Sequence, residues 1–151
     1  MNVKKKYWEQ FVPRGMEEVW DFFSRPENLD KITPKDVSFE ILSDIKGVKM
    51  YPGMLIQYNI APLLNIKMNW VTEIVQVKEH QYFIDEQRFG PYAFWHHQHH
   101  FEKTKDGVLM KDLLHYKVPL GIIGTIADLV FVDQKIESIF DYRKKVVDEM
   151  F

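Results

Sequence analysis

Alternating apolar and polar side chains run through most of the chain between residues 37 and 118, and they predict a series of β-strands. Successive side chains in a strand point to opposite faces, so an apolar residue at every second position marks a strand with one buried face. Turn sequences such as Tyr51-Pro52-Gly53, Gly90-Pro91 and Asp106-Gly107 separate the alternating segments. We therefore expect an antiparallel meander of six strands: Val37–Leu42, Met54–Ile60, Ile66–Val77, Gln81–Phe89, Ala93–Lys103 and Val108–Val118.

Residues 7–12 also alternate and predict a first strand, which Pro13 and Gly15 end. Two short helices should follow, the first with Glu17 and Glu18 in its opening turn and the second beginning at Pro26. After Pro119 the apolar spacing changes to three or four, which predicts one long helix from 121 to 150, roughly 45 Å in length. Its apolar stripe would contain Ile122, Ile126, Leu129, Ile136, Phe140, Val147 and Met150.

These elements together predict an α+β fold. A curved seven-stranded antiparallel sheet would wrap around the long C-terminal helix, and the two short helices would lie between the first and second strands. At 151 residues the chain is expected to form a single domain, residues 1–151.

The amino-acid composition limits the kinds of site and partner that this chain can have. The chain contains no cysteine, which excludes disulfides, thiolate nucleophiles and thiolate metal sites. Its formal charge of -2 and its lack of long charge runs make nucleic acid an unexpected partner. No signal sequence and no apolar run long enough to span a membrane is present, so we expect a cytoplasmic protein without stable membrane insertion.

The series Trp95-x-His97-x-His99-x-Phe101 places apolar and hydrogen-bonding groups on one face of a predicted strand. When this phase is carried through the meander, the inward face also receives Asp85. Buried histidine and aspartate need partners, so we expect His97 or His99 to donate a hydrogen bond to an aspartate. The ionisable residues predicted to point inward are Asp85, His97, His99, Asp112 and Tyr116.

Two interpretations of this mixed face stay open. It is a satisfied polar network that fixes strand register, the polar end of a ligand pocket with Trp70 and Trp95 as walls, or both. An aromatic content of 15% suits a cavity and an aromatic core equally well. If the face is a pocket, the predicted ligand-binding residues are Tyr58, Trp70, Asp85, Gln87, Trp95, His97, His99, Phe101, Asp112 and Tyr116.

The order of the elements and several short motifs resemble the SRPBCC ligand-binding proteins, in particular one bacterial branch of that family. The family belongs to the START-like helix-grip superfamily, which includes the birch pollen allergen and polyketide cyclases. The matching motifs span nearly the whole chain: Val19-Trp20-Asp21-Phe22-Phe23, Pro26-Glu27-Asn28-Leu29, Pro52-Gly53-Met54, Trp70 with Ile74, Phe83-x-Asp85-x-Gln87, Gly90-Pro91-Tyr92, Trp95-x-His97-x-His99-x-Phe101, Asp112-x-x-x-Tyr116 and Pro119-x-Gly121-x-x-Gly124.

The resemblance implies a cavity between sheet and helix for a small hydrophobic or amphipathic molecule, with a carrier, sensor or sequestering role and no cofactor. Because this fold serves many functions, two alternatives remain. One is a cyclase-, aromatase- or dehydratase-like enzyme with His97, His99, Asp112 and Tyr116 as candidate acids and bases. The other is an interaction module with a closed core.

His97 and His99 lie roughly 6.6 Å apart along one strand, so a metal held by both and one aspartate is conceivable, but we predict no native metal. Two apolar turns, 61–64 and 120–124, are candidates for a pocket entrance that touches a membrane transiently, or else they pack onto the core. The basic cluster Tyr142-Arg143-Lys144-Lys145 is interpreted as a solvated helix surface.

Overall fold

The computed structural model describes residues 3–61, 66–119 and 126–151. Its strands are β1 (Lys4–Val12), β2 (Glu40–Ile41), β3 (Met54–Ile60), β4 (Met68–Lys78), β5 (Tyr82–Phe89), β6 (Phe94–Lys103) and β7 (Val108–Lys117). The helices are α1 (Met16–Phe23) and α2 (Ile126–Met150), and two short 3₁₀ helices cover Pro26–Ile32 and Lys35–Val37.

All seven strands form one antiparallel sheet in the order β1-β7-β6-β5-β4-β3-β2. The register of β4 against β5 shifts at Val71/Thr72 and again between Ile74 and Gln76. Irregularities of this kind bend a strand and increase its twist, which helps the sheet curve around a helix. The expected α+β helix-grip architecture is confirmed. The two short helices predicted between the first two strands are α1 and Pro26–Ile32, and the 3₁₀ helix Lys35–Val37 is an additional one.

The inward face of the sheet carries the core, as the alternation predicted. Trp70, Thr72 and Ile74 of β4 are buried, whereas Asn69 on the same strand is exposed. Gln76 would continue the inward phase but is exposed, because the register shift precedes it. The same alternation buries His97, His99 and Phe101 on β6.

Polar side chains of β1 join the sheet to one edge of α2. Lys6 Nζ contacts Asp133 at 3.0 Å and Glu137 at 2.5 Å, and Trp8 Nε1 donates to Glu137 at 3.1 Å. The Trp8 ring also stacks on Phe140, with ring centroids 3.7 Å apart. We call this row of contacts the β1–α2 seam. It is completed by Lys4, which pairs with Asp133, and by Gln10, which donates to Asp148.

Two sequence expectations about these elements were wrong in detail. The predicted strand Val37–Leu42 shrinks to Glu40–Ile41, because Lys35–Val37 forms a 3₁₀ turn that ends at Ser38, whose φ is 47°. Met150 was placed on the buried stripe of the long helix but is 42% exposed.

The helix α2 contains the buried stripe residues Ile136, Phe140 and Val147. Residues 121–125 of the longer predicted helix and the two apolar turns, at 62–64 and 120–124, lie outside the described residues. Within the described part of the chain, no helix combines the length and the apolar content needed to cross a membrane.

Neighbouring leucines on β7 test the assignment of faces. Leu114 is fully buried on the inward face and Leu113 is partly exposed on the other. We expect Leu114→Ala to lower the free energy of unfolding by about 2–5 kcal/mol, because it leaves a core cavity. Leu113→Ala should cost less than about 1 kcal/mol. Urea unfolding measures both, and equal losses would contradict the assigned faces.

Candidate functional site

A cavity of about 130 Å³ lies between the inward face of the sheet, α2 and the 3₁₀ helix Pro26–Ile32. Aromatic side chains make up much of its wall. Trp70 and Trp95 meet edge to face with ring centroids 5.1 Å apart, and Tyr58 stacks against Trp70. The aromatic lining residues are Phe22, Phe23, Phe39, Tyr58, Phe83, Trp70, Tyr92, Trp95 and Phe140.

Six of the ten residues predicted to bind ligand line this cavity. They come from four neighbouring strands, β3 to β6, whose inward positions face α2. The six are Tyr58, Trp70, Asp85, Trp95, His97 and His99.

The other four predicted residues lie beside the cavity but not on its wall. The Gln87 amide donates to the carbonyl of Tyr92 at 2.7 Å and accepts from its N–H at 3.1 Å, which holds the turn at Gly90. Phe101 packs against Trp20. Tyr116 is fully buried and its hydroxyl donates to Asp133. Asp112 is the fourth, and it lies against the two inward histidines.

His97, His99, Asp85 and Asp112 form a compact cluster, which we call the His–Asp cluster. His97 Nε2 lies 2.8 Å from Asp112 Oδ1, and His99 Nε2 lies 2.7 Å from Asp85 Oδ2. The other ring nitrogen of each histidine faces the other aspartate. His99 Nδ1 is 3.1 Å from Asp112 Oδ1, and His97 Nδ1 is 3.6 Å from Asp85 Oδ2. Register explains this closeness, because β6 lies between β5 and β7 and pairs His97 with Asp85 and His99 with Asp112.

The four groups of the His–Asp cluster shift one another's pKa values. Burial would raise the pKa of Asp112, but its bonds to His97 and His99 outweigh burial and hold that pKa well below the usual range. The pKa of Asp85 is lowered in the same way by His99 and His97, against the effect of burial. Both carboxyls are therefore ionised at neutral pH.

The pKa values of the two histidines shift in opposite directions. Burial and the neighbouring His99 charge lower the pKa of His97, despite its contacts with Asp112 and Asp85. Burial also opposes protonation of His99, but the bonds to Asp112 and Asp85 prevail and raise its pKa. A proton donor and a proton acceptor therefore lie side by side, with ring centroids 3.7 Å apart.

Arg143 joins this site, which corrects its assignment to a solvated helix surface. Its side chain is only 14% exposed, it lies over the Phe140 ring, and its guanidinium approaches Asp112 Oδ1 at 3.9 Å. Its buried Nε has no hydrogen-bond partner among residues 3–61, 66–119 and 126–151. Position 143 follows Ile136 and Phe140 at helical spacing, which is the signal that indicates burial, but the adjoining lysines led to its assignment to solvent.

Asp85, His97 and His99 also meet the distance requirement for a metal site, since one ligand atom from each lies within 4.8 Å of the others. Two imidazoles and a carboxylate would suit zinc or another transition metal. The same atoms already bond to one another, and a nearby guanidinium opposes an added cation.

Comparison with known proteins identifies the fold. No protein-family model matches the chain, and no curated protein matches it. Solved structures do match along nearly the full length. A protein from Mycobacterium smegmatis shares 14% identity at a TM-score of 0.69, with 100% of this chain and 96% of that chain covered.

Two further structures have the same architecture. Ara h 8.0201 matches at a TM-score of 0.61 and 16% identity over 98% of this chain and 99% of its own. A Thalictrum flavum norcoclaurine synthase point mutant, in complex with a transition-state analogue, matches at a TM-score of 0.62 and 15% identity. The match covers 99% of this chain and 96% of that chain. The helix-grip fold expected from the sequence is therefore confirmed, and identities this low show the fold alone.

The His–Asp cluster predicts split titration of its histidines. By NMR, His97 should titrate below and His99 above the ordinary imidazole pKa of about 6.5. Replacing His99 with Gln removes a neighbouring positive charge and leaves both carboxylates, so the pKa of His97 should rise. His115→Gln, on the outward face of β7, is the control and should leave His97 unchanged. An unchanged or lower His97 pKa in the His99 variant would contradict the coupling.

Proposed function

We propose that this chain, a protein of the helix-grip fold, binds a small hydrophobic or amphipathic molecule in the cavity between the sheet and α2. The observation that supports the proposal most directly is the lining: an aromatic wall that meets the His–Asp cluster and Arg143 at one side. Ligand pockets typically combine an apolar lining with a few fixed polar groups that orient the ligand. Carrier, sensor and sequestering roles all follow from such binding.

The size of the cavity favours a ring-sized apolar group. An apolar cavity of about 150 Å³ is enough to hold benzene, and this one measures about 130 Å³. Removing apolar surface from water contributes about 25 cal/mol per Å². The aromatic wall therefore supplies affinity, and the polar side supplies orientation.

Filling the cavity with protein should abolish binding. Ile139, on α2, lines the cavity, and its neighbour Ser138 is exposed. We expect Ile139→Trp to remove binding of 2-phenylethanol and decan-1-ol, because the indole occupies their volume. Ser138→Trp adds the same side chain outside the cavity and should leave binding intact. Saturation-transfer NMR measures binding of both alcohols to the three proteins.

Two results would contradict this proposal. Binding that survives Ile139→Trp would mean that the alcohols bind elsewhere on the protein. Failure of wild type to bind these alcohols and the corresponding acids, phenylacetate and decanoate, would favour a closed-core interaction module. Circular dichroism should show the same secondary structure in both variants and in wild type.

Acid–base catalysis in the same cavity is a second candidate. The observation that favours it is the pair of histidines with pKa values shifted in opposite directions at the cavity wall. His97, neutral near pH 7, would accept a proton, and His99 would donate one, with Asp112 and Asp85 fixing their tautomers. Tyr116 suits this role less well, because its hydroxyl donates to Asp133.

A double variant distinguishes binding from catalysis. For 4-phenylbutan-2-one in D₂O, an enzyme of this kind should accelerate exchange of the protons beside the carbonyl. His97→Gln/His99→Gln should then return exchange to the buffer rate with affinity retained. A binding protein gives no acceleration above buffer, and the double variant changes affinity alone. Proton NMR measures both the exchange and the binding.

A further inference from the structure

Two hydrogen-bond donors on the cavity wall have no acceptor. In the described part of the chain, three buried side-chain atoms lack a partner: Ser24 Oγ, Trp70 Nε1 and Arg143 Nε. Trp70 and Arg143 both line the cavity, whereas Ser24 does not. Buried donors are nearly always paired in proteins, so two orphans on one cavity indicate that something else supplies their acceptors.

Among the described residues, neither donor has an acceptor within hydrogen-bonding distance. Asp85 and Asp112 are each held by two imidazoles, and the Tyr58 hydroxyl is paired with Thr72 at 3.0 Å. An occupant that brings an oxygen atom to each of these two donors would supply the missing acceptors.

The positive charge of Arg143 indicates which kind of oxygen atom the occupant carries. Arg143 is a cation with a side chain only 14% exposed, and its nearest carboxylate oxygen in the described chain, on Asp112, is 3.9 Å away, beyond hydrogen-bonding distance. The histidines hold Asp112 more closely than Arg143 does, at 2.8 and 3.1 Å. An anionic oxygen at Arg143 would form the short, charge-assisted hydrogen bond that the guanidinium lacks.

We infer that the ligand of this cavity is a carboxylate with a ring-sized or linear apolar body, whose oxygen atoms accept hydrogen bonds from Arg143 Nε and Trp70 Nε1. This inference rests on the proposed binding function and adds the chemical class. The apolar body contacts the aromatic wall, and the carboxylate lies at the Arg143 side. Arg143 is thus the residue that selects an acid over the corresponding alcohol.

Matched acids and alcohols test the inference on the wild-type protein. The pairs are phenylacetate with 2-phenylethanol, 3-phenylpropanoate with 3-phenylpropan-1-ol, and decanoate with decan-1-ol. Within a pair the apolar body is nearly constant, so the ratio of dissociation constants isolates the carboxylate. We expect at least one acid to bind about tenfold to a hundredfold more tightly than its alcohol. Isothermal titration calorimetry measures both, and the best pair separates aromatic from fatty acids.

Substitutions at Arg143 and Trp70 test whether these two donors cause the preference for the acid over the alcohol. Arg143→Met should bring the acid-to-alcohol ratio close to one, and Trp70→Phe should reduce it severalfold. Lys144→Met removes the same charge from an exposed position on α2 and should leave the ratio unchanged. If Arg143→Met does not fold, Arg143→Gln replaces it, because it also removes the charge.

Each outcome bears on one proposal. Alcohols that bind as tightly as their acids would overturn the carboxylate inference and leave the binding function standing. An acid preference that survives Arg143→Met would also overturn it. If no acid and no alcohol binds, the binding function fails and the inference fails with it. An acid preference that requires Arg143 but not Lys144 supports both.

Discussion

The β1–α2 seam is the interaction on which the rest of the structure depends. It holds one edge of α2 against the sheet through the Trp8–Phe140 stack and the pairing of Lys6 with Asp133 and Glu137. Phe140 then contacts His97, and Arg143 lies one turn further along the helix. Without this docking, the sheet would present an open apolar face and the His–Asp cluster would be solvated. The seam therefore creates both the cavity and the low-polarity surroundings that shift the pKa values of the cluster.

The His–Asp cluster satisfies two requirements at once. Two carboxylates and two imidazoles inside a core need partners, and the register of β5, β6 and β7 provides them. A shift of β6 by one residue would move both histidines to the outward face and leave Asp85 and Asp112 inward without them, so the cluster also specifies the pairing. Structural and functional interpretations of the cluster are thus compatible. Arg143 is different, because nothing in the described chain pairs with its Nε.

Period-two patterning predicted which strand residues face inward, because that choice follows from the backbone alone. It could not predict which of the inward residues line the cavity. Gln87 and Tyr116 share the inward phase with the cavity residues, but Gln87 holds a turn and Tyr116 contacts Asp133. The Gln87 contact depends on the conformation of the turn at Gly90, and the Tyr116 contact depends on which helix residue lies opposite. Arg143 was misplaced for a related reason. Its neighbours in sequence are basic and exposed, and only the docked helix brings it near Asp112.

The seam also has a consequence for the order of folding. It joins side chains about 130 positions apart in sequence, such as Trp8 with Glu137, and β1 pairs with β7, the last strand. The hairpins from β3 to β7 are local and form without either seam element. During synthesis β1 therefore stays unpaired, with Trp8 and Val12 uncovered, until nearly all of the described chain has followed it. The cavity closes only when α2, the last helix of the described chain, docks on the sheet.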